Sequence, residues 1–168
     1  MPDDVEFDPI RLLRELNDSG VRYVVIGAVA ARALGSPLMT ADLDICYARD
    51  EANHVALAGM LGRVHARLRG VEPGLPFQPD ARTIKNGDSF TFLTDFGAFD
   101  ILGTPSGTTG YDDIVNDAVR VDLDGLEVLV ASIDDLIRMK RAAGRPKDLQ
   151  AVEELGALRE EMASYGSA

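Results

Sequence analysis

Apolar and polar positions along this chain change period several times, and each change marks an element. Asp8-Pro9 followed by Ile10, Leu13, Leu16 and then Gly20 is an N-cap, a first-turn proline, a helical stripe and a stop. VRYVVIG over 21–27 is β-branched and apolar with a glycine at its end, which predicts a buried strand. AVAARAL over 28–34 predicts a short helix whose alanines permit close approach, and ADLDICYA over 41–48 predicts a second strand. A helix starting near Asn53 would carry Val55, Leu57, Leu61, Val64 and Leu68 on one stripe. VEPGLPFQPD over 71–80 holds three of the eight prolines and reads as a loop.

Beyond that loop the period is two. SFTFLT and AFDILG predict a hairpin through DFG, and VRVDLDGLEVLVAS predicts another that turns at Asp124-Gly125. Helical spacing then returns. Ser132 with Asp135 three residues on resembles a capping box and opens a helix ending near Gly144. Asp148 opens a last helix with Leu149, Val152, Leu155, Leu158 and Met162 inward, before a frayed SYGSA tail. This order predicts an α/β (α+β) fold, a mixed β-sheet flanked by helices with further helices at the C-terminus. A single domain over 1–168 is expected, with its core at about 21–130 and a helical part at 131–165.

Charge narrows the partners. With 17 Lys+Arg against 28 Asp+Glu the formal net charge is -11, which opposes extended binding to duplex DNA or to an anionic membrane. One local basic stretch, RVHARLRG, carries Arg63, His65, Arg67 and Arg69; on a helix it is either a solvated face balancing an acidic chain or a local basic site. The one cysteine, Cys46, excludes an internal disulfide, and without an apolar leader or membrane-length run the chain reads as cytoplasmic.

Candidate chemistry centres on Asp42 and Asp44. In a strand they alternate with Leu43 and Ile45, so one face is carboxylate and the other apolar. Their Cα atoms would lie roughly 7 Å apart, where two like charges repel by ~2 kcal/mol at an effective dielectric of about 20. A hard divalent cation would offset that repulsion. A D-x-D at a strand end also describes many solvent-facing strands, so companions decide its weight. Gly27-Ala28 at a strand-to-helix turn can admit a phosphate. Asp100 between Phe99 and Ile101 is a strand carboxylate that needs a partner or metal. Lys140 sits on the apolar stripe of Ile133, Leu136 and Ile137, from which it either snorkels outward or aims its ammonium into a polar site. Arg145 and Lys147 follow that helix and suit triphosphate oxygens, or simply complement the helix dipole.

Gly27-Ala28, then Asp42-Leu43-Asp44-Ile45, then Asp100, resembles the minimal nucleotidyltransferase superfamily of the DNA polymerase β-like fold, with its Gly-[Gly/Ser] turn, D-x-D strand and third carboxylate. SPLMTADLDICYAR with the late KRAAGRPKDL looks like the small bacterial nucleotidyltransferases related to the AbiEii and MenT toxins. The resemblance implies Mg²⁺ on Asp42, Asp44 and Asp100, with Asp100 also helping to deprotonate an acceptor. It places an NTP triphosphate on Gly27, Ala28, Lys140, Arg145 and Lys147, and makes Asp148 an orienting or capping group. The implied reaction moves NMP to a tRNA end or a protein, as the toxin of a toxin–antitoxin pair with a cognate antitoxin.

Two alternatives stand beside it. The acidic balance fits a small-molecule acceptor, as in antibiotic nucleotidyltransferases. Ala28 in place of Gly or Ser, and Leu38-Met39 ahead of Thr40, where R-x-T-x-D-x-D would put arginine at position 38, fit a nucleotide-binding relative without turnover.

Overall fold

The computed structural model describes residues 4–72, 74, 77 and 79–166. Pro73, Leu75, Pro76 and Gln78 of the predicted loop, and Ser167 and Ala168 of the predicted tail, lie outside the described residues. The frame is one mixed sheet of β1 (Tyr23–Ile26), β2 (Asp42–Tyr47), β3 (Arg67–Leu68), β4 (Ser89–Thr94), β5 (Gly97–Leu102), β6 (Val119–Leu123) and β7 (Leu126–Val130). Their spatial order is β3-β4-β5-β2-β1-β7-β6. β2 runs parallel to β5 and β1 parallel to β7; the other neighbours are antiparallel. The helices are α1 (Pro9–Asp18), α2 (Gly27–Ala33), α3 (Glu51–Arg63), α4 (Ala81–Asn86), α5 (Tyr111–Ile114), α6 (Ile133–Ala143) and α7 (Pro146–Gly166), with a 3-10 turn at Val115–Asp117. None of the described helices is long and apolar enough to cross a membrane.

Local chemistry explains most of these boundaries. Asp8 caps α1 by accepting from the Arg11 N–H at 3.1 Å, and Leu12, Leu13 and Leu16 are buried. Ser132 accepts from the Asp135 N–H at 3.1 Å to open α6, and Gly144 closes it in the left-handed region at φ 69. β1 is buried along its whole length, as its unbroken apolar run requires. Leu43 and Ile45 are fully buried, so β2 turns its apolar face to the core and its carboxylates to the other side.

The segment after α3 departs from the predicted helix. α3 opens at Glu51 under an Asp50 cap and ends at Arg63. The His65 N–H donates to Gly62 O and the Ala66 N–H to Leu61 O, with His65 at φ 53, which is a Schellman closure. Leu68 therefore leaves the stripe for β3, where Arg67 pairs with Leu93 and Leu68 with Phe92. Helices α4 and α5 were not predicted; Asp80 caps α4 by accepting from the Thr83 N–H at 2.8 Å. In the last helix Leu155 is buried, whereas Leu149 and Met162, expected inward, are exposed. The helix also continues to Gly166, through part of the predicted tail.

Candidate active site

Two register relationships build the site. Asp44 lies opposite Asp100 across the β2–β5 ladder, and Asp42 lies opposite Ala98. Asp42, Asp44 and Asp100 therefore share one face, and one carboxylate oxygen from each comes within 4.8 Å of the others. The Thr40 hydroxyl bonds to the Asp42 side chain and main-chain carbonyl, each at 3.1 Å, and fixes that carboxylate. Two full charges at such spacing would repel by about 3.5 kcal/mol at an effective dielectric of about 20. Burial, then the charges of Asp42 and Asp100, push the Asp44 carboxyl up to about 7, against the opposing pull of Lys140. Burial also raises Asp100, with Arg69 opposing.

The β1–α2 turn closes against this cluster. Gly27 has φ +70, and a Cβ there would collide with Asp44 Oδ2, so the site needs glycine for both reasons. Ala28 follows in the first turn of α2, which has no side-chain cap on its N–H groups. α6 contributes Lys140, whose ammonium acts on Asp44 and lies 3.4 Å from Asp148 Oδ1. Asp148, 1% exposed, also accepts from Arg145 Nε at 2.6 Å and from the Arg145 N–H at 3.2 Å. Asp148 thus orients Arg145 and caps α7 at once, and these bonds hold its carboxyl below the usual range. Lys147 is exposed in the first turn of α7. Met39 is exposed, and its Sδ accepts from Arg32 Nη1 at 2.9 Å.

Sequence reasoning missed Thr40 and Arg69. Thr40 lies two residues before Asp42, the spacing of a local hydroxyl-to-backbone turn. Arg69 stood out only as part of the basic stretch RVHARLRG, because a helix there gives it no carboxylate partner on the sheet. The donor set suits a hard divalent cation such as Mg²⁺. It consists of carboxylate oxygens, and Asp44 Oδ1 is buried without a hydrogen-bond partner among the described residues.

No family model matches the sequence, and no curated protein matches it significantly. Solved structures do resemble it. Lincosamide antibiotic adenylyltransferase LnuA, lincomycin-bound, is similar with a TM-score of 0.60 at 13% identity over 89% of this chain and 95% of that one. The antibiotic-resistance factor ANT(2'')-Ia gives a TM-score of 0.56 at 12% identity over 95% and 91% of the two chains. The Thermotoga maritima protein TM1012, a candidate nucleotidyltransferase, gives 0.50 at 17% identity over 96% and 98%. The chain shares the nucleotidyltransferase fold with these proteins.

Proposed function

We propose that this protein is a nucleotidyltransferase, acting as one domain over 1–168, that moves NMP from an NTP to an acceptor with Mg²⁺ as cofactor. The observation that carries this reading is the convergence of Asp42, Asp44 and Asp100 on one face of the sheet beside Lys140. The shared fold supports it.

In the reaction an acceptor oxygen bonds to the α-phosphorus while the bond to pyrophosphate breaks, and the acceptor proton passes to a carboxylate. Asp42, Asp44 and Asp100 would hold Mg²⁺, which when bound would neutralise carboxylate and phosphate charge. Asp100 takes part in accepting the proton. Gly27, Ala28 and the first N–H groups of α2 receive the triphosphate, where no side chain bulks out the turn. Lys140 supplies a positive charge that acts on both Asp44 and Asp148, with Arg145 and Lys147 further out toward phosphate oxygens. Asp148 keeps Arg145 oriented.

The acceptor is a tRNA end or a protein, which with a cognate antitoxin would make a toxin pair, or a small molecule. Lincomycin in LnuA exemplifies the last class. Incubating the protein with each α-³²P-labelled NTP and Mg²⁺ against tRNA, lysate protein and a small-molecule panel decides among them. Label transferred by wild type and lost in Asp42→Ala and Asp44→Ala supports the enzyme and identifies the acceptor. Bound but unchanged nucleotide, without pyrophosphate, would replace it with the binding-protein reading that Ala28 and Leu38-Met39 favour.

A further inference from the structure

The basic stretch after α3 finds its role in the register of β3. The Arg69 N–H donates to Thr91 O at 2.9 Å, so the ladder extends one residue past Leu68 and sets Arg69 opposite Thr91. Thr91 is in turn opposite Asp100, and Asp100 opposite Asp44. Side chains opposite one another across a ladder share a face, so Arg69, Thr91, Asp100 and Asp44 form one row across four strands. From the sheet edge Arg69 reaches over Thr91 and places Nη2 3.1 Å from Asp100 Oδ1 and 3.3 Å from Oδ2. One guanidinium nitrogen thus bonds to both oxygens of the third carboxylate. Asp42 and Asp44 have different company: Thr40 holds Asp42, and Asp44 Oδ1 has no partner among the described residues.

We propose that Arg69 is a positioning residue that serves as internal counter-cation for Asp100 and competes with the divalent cation for that carboxylate. The proposal rests on the cation reading of the site. Its consequence is an order of loading. Asp42 and Asp44 make no direct ion pair among the described residues and take a first cation, whereas Asp100 becomes a ligand only as its bonds to Arg69 are given up. Until then Arg69 holds the carboxylate on the face where it is needed, which limits the ordering left for substrate to perform.

The test is Mn²⁺ binding to nucleotide-free protein, followed by electron paramagnetic resonance. Arg69→Gln removes the competing charge and is expected to bind Mn²⁺ about fivefold more tightly, ~1 kcal/mol, the upper range for a partly exposed ion pair. Arg69→Lys, which keeps the charge but loses the planar donor geometry, should fall between the two. Melting in chelator reports whether each variant is folded, and Arg69→Lys carries the same sign should the glutamine variant fail to fold. Equal or weaker binding by folded variants overturns the proposal and leaves the cation site standing. Absent binding by wild type at millimolar Mn²⁺, or undiminished binding by an Asp42→Asn, Asp44→Asn double variant, overturns the cation reading and the proposal with it.

Discussion

Asp44 of β2 and Asp100 of β5 stand directly opposite one another in a parallel ladder, two carboxyl groups at one level on one face. Once solvent and partial protonation have relieved the bare Coulomb repulsion, like charges opposite one another oppose strand pairing by a net of up to about 1 kcal/mol. Asp44→Asn keeps the amide's capacity to donate to Asp100 and removes one charge. It is expected to stabilise the cation-free protein at pH 8 by about 1 kcal/mol in urea unfolding, while nucleotidyl transfer falls by about 10²-fold or more. That pair of outcomes would mark Asp44 as placed for chemistry.

Gly27 and Gly20 share φ +70 and differ in what surrounds them. A Cβ at Gly20 meets nothing within 4 Å, whereas one at Gly27 meets the Asp44 carboxylate. Gly20→Ala is expected to cost about 1 kcal/mol from the backbone alone, and Gly27→Ala about 2 kcal/mol or more because Asp44 must also move. Urea unfolding gives both values. Only Gly27→Ala should weaken Mn²⁺ binding as well.

Local chemistry made the frame readable, since the caps of α1 and α6, the Asp124-Gly125 turn and the alternation of β2 each rest on a few adjacent residues. The end of α3 was not readable, because Leu57, Leu61, Val64 and Leu68 keep helical spacing while His65, not glycine, takes the left-handed position. With that turn went β3 and the place of Arg69. Leu149 and Met162 fit a helical stripe by spacing, yet α7 buries only a narrow part of its surface around Leu155. Asp42 and Asp44 declared a shared face by their spacing. That Asp100 joins them depends on β5 pairing beside β2, a long-range choice no local pattern records.

The raised Asp44 carboxyl gives the stability of the cation-free protein a defined pH dependence. Its folded value, about 7, lies above the ordinary 3.8, so between those values the folded state binds more protons than the unfolded one. Stability from this group is present in full below about pH 4 and lost as pH rises toward 7. Asp42, Asp100 and Lys140 face the group, and Arg69 reaches it through Asp100. Thermal melting in chelator should show Tm falling over this range in wild type, and a shallower fall in Asp44→Asn. Saturating Mg²⁺, which binds the ionised form, should reverse the trend.

Lys140 bonds to Asp148 and acts on Asp44 through its charge, and this double influence separates its electrostatic role from its structural one. In Lys140→Met the Asp44 carboxyl loses its opposing cation, so the midpoint of the pH-dependent fall in Tm should move upward. Asp148→Asn frees Lys140 from its competing carboxylate, and the midpoint should move downward. The second variant also loses the ionic partner of Arg145 and the cap of α7, at a cost of about 2–3 kcal/mol in urea. Opposite midpoint shifts from two variants that both weaken the α6–α7 junction would tie Lys140 to the carboxylate cluster, because a purely structural lysine would move both midpoints alike or neither.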